Sequence, residues 1–243
     1  MDVSHYSNKG CSVDVHSYKE NNGADSVFME IKDWLPDETK TKIRGMLEGT
    51  EDWKCGDLWE KPIYRLQKWF HDDRKYFSGF WKDQTHERWK SHDHDDWLLD
   101  LRGLIQDQLN YIFSEIVPEC GLIGCNLPTI NSTLVNYYRN GTDIIRHHRD
   151  DEKLFGDNPT IAMLVFGAER PLDFIRSTYD HTSAYSLSKN YEEEHLNKSF
   201  TISEGSLFIM MGAVQKYYTH GIARDISITD PRYSITFREH TSK

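Results

Sequence analysis

From residue 129 to the end of the chain, short runs with apolar side chains at every second position alternate with clusters of Gly, Asp and Pro. A period of two sends alternate side chains to opposite faces of an extended backbone. It predicts eight strands, at about 132–138, 144–149, 160–166, 171–177, 199–203, 206–211, 216–222 and 232–239. So many short strands separated by turns read as a double-sheet jelly roll. Upstream the period changes. Leu98, Leu101, Ile105, Leu109, Ile112 and Ile116 recur at spacings of three and four, which predicts a helix over 96–117 ended by Pro118. A shorter helix opens at Asp33 to Thr39, with Pro36 and acids in its first turn, and closes near Gly45 to Gly49. Residues 26–31 read as a strand, and the polar, aperiodic residues 1–24 as a loose arm. The expected class is α+β: a jelly-roll (double-stranded β-helix) core over 129–243, preceded by a helical extension with an aromatic hairpin over 25–128.

Composition narrows the class. The 243 residues suit one core of ordinary size, and no run approaches the roughly 20 apolar residues of a spanning helix. The first ten residues have neither a basic nor an apolar region of the secretory kind, so a soluble intracellular monomer is expected, with no membrane partner. Cys11, Cys55, Cys120 and Cys125 form no Cys-x-x-Cys pair and are expected as free thiols. The net charge of −10 argues against a protein built to coat nucleic acid. Locally the sign reverses: over 61–90, eight cationic against four acidic side chains give +4, interleaved with Trp69, Phe70, Tyr76, Phe77, Phe80, Trp81 and Trp89. Such a mixture suits a surface that grips phosphates and stacks bases; it equally suits a hairpin with aromatics facing the core.

The chemistry gathers around His148 and Asp150, which follow a short apolar-centred strand. Two residues apart on an extended chain, both side chains leave the same face. A metal centre with open positions usually takes a third protein ligand, and two histidines with one carboxylate leave three positions for substrate and oxygen. His220, at the end of the aromatic run Lys216-Tyr217-Tyr218-Thr219, offers that ligand on a distant strand. In the closing run, Arg232, Ser234, Thr236 and Arg238 alternate with Tyr233, Ile235 and Phe237, so two guanidinium groups and two hydroxyls share one face. Inward arginines beside a metal call for an anion. The His-x-Asp pattern alone proves little, because it recurs twice. His94-Asp95-Asp96 precedes an apolar helical period and reads as an N-cap cluster; His71-Asp72-Asp73 reads as a polar turn. His147 falls on the opposite face from His148. In the polar insert 177–200, His181 and His195 have no partner at ligand spacing, so a long hairpin loop without a second metal is expected.

Several separated signals resemble the AlkB family of iron(II)- and 2-oxoglutarate-dependent dioxygenases: Asn136-x-Tyr138, His148-Arg149-Asp150-Asp151-Glu152, Pro159-Thr160-Ile161 to Phe166-Gly167-Ala168, His220, and the closing Arg-x-Ser-x-Thr-Phe-Arg. The resemblance covers roughly residues 60 to 240. One position departs, since Ser234 stands where the family often has Asn; this touches a hydrogen bond to the cosubstrate, not the metal. The resemblance implies Fe(II) held by His148, Asp150 and His220, with 2-oxoglutarate and O2 as cosubstrates. It implies that Asn136, Tyr138, Arg232, Ser234 and Arg238 bind 2-oxoglutarate, with Arg232, Tyr138 and Asn136 at the far carboxylate and Arg238 nearer the chelating end, roles that could be exchanged. It further implies demethylation of N-methylated bases such as 1-methyladenine or 3-methylcytosine in DNA or RNA, with release of formaldehyde, succinate and CO2.

A flipped base must be sandwiched and read on its polar edge. Trp69, Tyr76 and Ser78 occupy the family's lid region, and Asp151 and Glu152 are candidates, in catalysis and substrate contact, to accept from an exocyclic amine beside a cationic base. Trp69 as a core residue, and Asp151 and Glu152 as a solvated turn, are the competing assignments. Two other functions stay open at this level: the same chemistry on a protein side chain, and a catalytically silent binding module on the same fold.

Overall fold

The structure, a computed structural model, describes residues 11–58, 61–73, 89–150, 153–179, 187–189 and 191–241. All eight strands expected after residue 129 are present: β5 (Ser132–Tyr138), β6 (Ile145–His148), β7 (Ile161–Gly167), β8 (Pro171–Tyr179), β10 (Lys198–Thr201), β11 (Leu207–Gly212), β12 (Tyr218–Ile222) and β13 (Arg232–Arg238). They divide four and four. One sheet runs β11-β7-β13-β5 and the other β10-β8-β12-β6, which is the jelly roll.

Four strands from the first half of the chain widen the larger sheet at both edges. β1 (Val13–Lys19) and β2 (Asp25–Ile31) extend it beside β11, while β4 (Lys61–His71) and β3 (Lys54–Leu58) extend it beside β5. Strands of the N-terminal half are therefore built into the same sheet as those after residue 128. Residues 13–19, expected within a loose arm, instead pair antiparallel with β2 from Val13↔Ile31 to Lys19↔Asp25.

A buried ion pair explains why that segment is fixed. Glu20, directly after β1, accepts from Arg176 Nη1 at 2.7 Å and Nη2 at 2.6 Å, and from the Ser26 hydroxyl. The guanidinium also sits 4.6–5.3 Å from the ring centres of Tyr18, Tyr217 and Tyr218. Removing one member of a buried pair strands the other charge, at about 3–5 kcal/mol. Glu20→Ala is therefore expected to lower the melting temperature by roughly 10 °C in a calorimetric scan; an unchanged Tm would show that the tether contributes nothing.

Period two is followed on both faces of the larger sheet. Val27, Met29 and Ile31 of β2, Leu164 and Phe166 of β7, Leu207, Ile209 and Met211 of β11, and Tyr233, Ile235 and Phe237 of β13 join one apolar cluster with the helices. Phe28, Met163, Val165, Phe208 and Met210 face the smaller sheet, where Leu172, Phe174, Tyr218 and Ile222 meet them. Burial on both faces is what makes these strands read as almost continuous apolar runs.

The helices close the outer face. α1 (Asp37–Glu48) follows Pro36 and buries Ile43 and Leu47. α2 (Asp96–Tyr111) has Asp95 at its N-cap and buries Leu98, Leu101, Ile105 and Leu109. The expected stop at Pro118 does not occur: the helix widens into a π-turn at Ile112–Ile116 and continues through Val117–Glu119. A wider turn changes the backbone pairing just where proline would meet the preceding carbonyls. Similarly, the strand expected from 216 begins at Tyr218, because Val214–Tyr217 forms a helical turn. The insert after Ser177 is a hairpin in its described part, with β9 (Leu187–Lys189) paired to β8. No described helix is long and apolar enough to cross a membrane.

Candidate active site

His148 ends β6 and His220 lies in β12, and the antiparallel ladder makes them direct partners. The ladder shifts register between His220 and Ile222. Gly221, at the shift, permits a close approach of the two strands: a Cβ there would lie 2.9 Å from both the His147 nitrogen and the Ile145 oxygen. Asp150 follows two residues after His148 and is anchored by its own N–H, which donates to the Gln215 side-chain oxygen at 2.9 Å. The helical turn at Val214–Tyr217 thus has a purpose in the site, since it carries the buried Gln215.

The three side chains converge. Their ligand atoms all lie within 4.8 Å of one another; His148 Nε2 is 3.7 Å from Asp150 Oδ1, and His220 Nε2 is 3.9 Å from Asp150 Oδ2. His148 Nδ1 donates to the Arg146 carbonyl at 2.9 Å, which leaves the Nε2 lone pair pointing at the cluster. Burial lowers the pKa of both histidines, that of His220 to about 3, so both are neutral ligands near pH 7. For Asp150, burial alone would raise the carboxyl, but Arg238 and the two imidazoles outweigh it and hold it at about 2. Two neutral imidazoles and one carboxylate on one side of a point are the donor set of a non-haem Fe(II) facial triad. With 34% of its side chain exposed, His148 marks the side open to substrate.

Across a cavity of about 210 Å³ lies the polar face of β13. Asn136, Tyr138, His148, Asp150, His220, Ser234 and Arg238 all line it. Arg238 Nη1 is 3.3 Å from Asp150 Oδ1, which places this arginine beside the metal ligands. Asn136 Nδ2 donates to Ser234 Oγ at 3.4 Å, so the hydroxyl present instead of an amide still engages the network.

Arg232, at the opposite end of β13, is paired in register with Tyr138 and is 1% exposed. Its guanidinium carbon lies 5.4 Å from the Tyr138 ring centre, and Arg170 lies 5.6 Å from the same ring. None of the three Arg232 side-chain nitrogens has a hydrogen-bond partner among the described residues, and burial lowers its pKa to about 10. Arg170 has its own acceptors, the Asp143 carbonyl at 2.7 Å and the Ala223 carbonyl at 2.5 Å. A buried cation with no acceptor is costly unless an anion completes it. The residues therefore fit both groups: an N,N,O set for a divalent metal, and an orphaned guanidinium for the carboxylate of a dicarboxylic cosubstrate.

Other expected contacts fall elsewhere. Trp69 is fully buried, in a cluster with Trp89, Leu134 and Phe155, and is absent from the cavity wall; the tryptophan on that wall is Trp89. Burial in this cluster matches the core assignment of Trp69 rather than base stacking. Tyr76, Ser78, Asp151 and Glu152 lie outside the described residues. The competing His-x-Asp clusters are structural. His71 is buried and accepts from the Asp73 N–H through Nδ1 at 2.9 Å, while Asp72 pairs with His94 and Arg102. Asp95 occupies the N-cap position of α2 without a side-chain capping bond. His195 is exposed, and among the described residues only the one triad groups at metal-ligand distances.

Sequence reasoning missed Arg65 as a site residue. It lines the cavity, and its Nε donates to Asn136 Oδ1 at 2.8 Å. The signal was available: the alternation along β4 that turns Trp69 inward turns Gln67 and Arg65 inward with it.

Residues 28–238 match the family model described as "2OG-Fe(II) oxygenase superfamily". The chain is 32% identical over 120 residues to DNA oxidative demethylase ALKBH2 of Arabidopsis thaliana, covering 44% of this chain and 37% of that protein. It is 33% identical over 111 residues to alpha-ketoglutarate-dependent dioxygenase alkB homolog 3 of Homo sapiens, covering 45% and 36%. The matched regions thus span little more than a third of these relatives. The solved structure described as "The structure of OsALKBH1" shares the fold, with a TM-score of 0.54 at 13% identity over 88% of this chain and 96% of that one.

Proposed function

We propose that this chain, which belongs to the 2OG-Fe(II) oxygenase superfamily, is a dioxygenase of the AlkB kind that removes methyl groups from ring nitrogens of nucleobases in DNA or RNA. The observation that carries this reading is the His148–Asp150–His220 cluster facing, across one cavity, the arginine-bearing strand β13. The names of the two curated relatives, an oxidative DNA demethylase and an alpha-ketoglutarate-dependent dioxygenase, support the substrate class and the cosubstrate.

Bound in this site, ferrous iron and 2-oxoglutarate supply the oxidising equivalents from O2, and the products are succinate, CO2, formaldehyde and the unmethylated base. The chain contributes position and charge. His148, Asp150 and His220 hold the ion, with the carboxylate ionised and both rings neutral before it arrives. Arg232 takes the far carboxylate of 2-oxoglutarate through a planar fork that suits bidentate binding, with Tyr138 beside it. Arg238, Asn136 and Ser234 face the chelating end. The half-exposed edge at His148 admits the base, and Trp89 offers a ring on the cavity wall. Asp151 and Glu152, next in the chain after Asp150, are assigned to the cationic methylated base, and Tyr76 and Ser78 to its flanking nucleotide.

The test uses single-stranded DNA and RNA oligonucleotides carrying 1-methyladenine or 3-methylcytosine, incubated with iron(II), 2-oxoglutarate and ascorbate and then weighed by mass spectrometry. The expected result is loss of the mass of one CH2 group only when 2-oxoglutarate is present, and it ranks DNA against RNA. Succinate formation without that loss would overturn the nucleobase assignment and point to a protein or other small substrate.

A further inference from the structure

The cavity is lined by three arginines: Arg238, which contacts the Asp150 carboxylate, Arg149, its chain neighbour, and Arg65. The third, Arg65, comes from β4, outside the eight core strands, and its Nε hydrogen bond goes to none of the three metal ligands. Its Nε donates to the Oδ1 of Asn136 at 2.8 Å. A guanidinium has donors only, so the Asn136 atom that meets it has to be the carbonyl oxygen. The two ends of an asparagine amide are otherwise interchangeable in shape, and only the surrounding bonds decide which way it points. With Oδ1 held by Arg65, the Nδ2 donor is directed to the other side, where it reaches Ser234 Oγ at the long distance of 3.4 Å. That long bond is the one the donor makes among the described residues, and Asn136, Ser234, Arg65 and Asp150 line the cavity together.

We propose that Arg65 is a positioning residue for the cosubstrate: it locks the amide of Asn136 so that Nδ2 is presented to the near carboxylate of 2-oxoglutarate. This rests on the proposed function above. Arginine suits the task better than lysine, because its planar group fixes the direction of Nε while the remaining donors stay in the cavity. The register explains how the contact arises from the sequence: Gln67 pairs with Asn136 across β4 and β5, and Arg65, two residues along the same face, crosses back over that pair. Desolvation lowers the pKa of Arg65, against the opposing charges of Tyr138, Asp150 and Asp143.

Calorimetric titration of the Mn(II)-loaded full chain with 2-oxoglutarate tests this without turnover. Arg65→Met is expected to weaken 2-oxoglutarate binding by roughly 10- to 100-fold, the range for losing a hydrogen bond to a charged group, while Mn(II) affinity stays at the wild-type value. On an Asn136→Ala background, Arg65→Met is expected to add little further loss, since it acts through that amide. Should the methionine variant fail to fold, Arg65→Lys enters the same cycle, with a smaller loss expected from a donor that lacks the fork. Wild-type affinity in the Arg65 variant, or losses that simply add in the double variant, would overturn the proposal. If the wild-type protein itself takes up Mn(II) but not 2-oxoglutarate, the cosubstrate site fails, and the role of Arg65 with it.

Discussion

Turnover by the His148→Ala and Asp150→Ala variants is expected to fall below detection, more than roughly 10³-fold, while both proteins keep the jelly-roll fold. Loss of a group that merely orients a metal ligand already costs about 10–100-fold, and these side chains are the proposed ligands themselves. The two variants should differ in stability. His148 is partly exposed, and its removal relieves a ring that burial keeps neutral. Removing Asp150 leaves the buried Arg238 beside an emptied carboxylate position, so Asp150→Ala should melt several degrees below His148→Ala. Circular dichroism melts and succinate release read both effects, and wild-type turnover in either variant would refute the site assignment.

Arg232→Met should separate stability from function. At neutral pH the folded protein carries a buried guanidinium with no acceptor among the described residues. Its pKa is lowered to about 10, chiefly by burial. The unfolded chain therefore holds that proton more tightly, and the charged side chain costs folding stability at every pH below about 10, on the order of 3 kcal/mol. The cost disappears as the pH rises through about 10 towards the ordinary arginine range. An apolar side chain of similar length removes it, so the cosubstrate-free variant is expected to melt higher than wild type. Binding of 2-oxoglutarate should weaken by roughly 100-fold or more, since truncating one partner of a buried charge pair costs about 2–5 kcal/mol. Sites that sacrifice stability for function commonly show this opposition. A lower Tm together with unchanged 2-oxoglutarate affinity would contradict the assignment of Arg232.

The parts of this architecture that depend on local period were legible in the chain. Strand β13 alternates a buried polar set, Arg232, Ser234, Thr236 and Arg238, with the apolar Tyr233, Ile235 and Phe237, and the polar set falls on the face opposite the apolar cluster as period two requires. His148, Asp150 and His220 are brought together by the ladder between β6 and β12. What local pattern could not supply was tertiary pairing. Residues 13–19 are mostly polar, with 16–19 exposed, and their pairing with β2 and the ion pair of Glu20 with Arg176 hold them as a strand. Trp69 and Arg65 have the same parity on β4, but one is enclosed by Trp89, Leu134 and Phe155 and the other opens on the cavity. Side-chain identity offered the tryptophan as a base platform and as a core residue alike; its depth along the strand puts it in the buried cluster. The π-turn before Pro118 was likewise invisible, because it depends on how α2 is held against the sheet rather than on the proline alone.

In the proposed function, one site couples consumption of 2-oxoglutarate to removal of a methyl group from a nucleobase. The most direct measurement follows succinate and formaldehyde together in a single reaction with a methylated oligonucleotide and its unmethylated twin. Equal amounts of the two products are expected with the methylated strand, and neither above background with His148→Ala. Succinate formed at the same rate with both strands, with no formaldehyde from the methylated one, would contradict it.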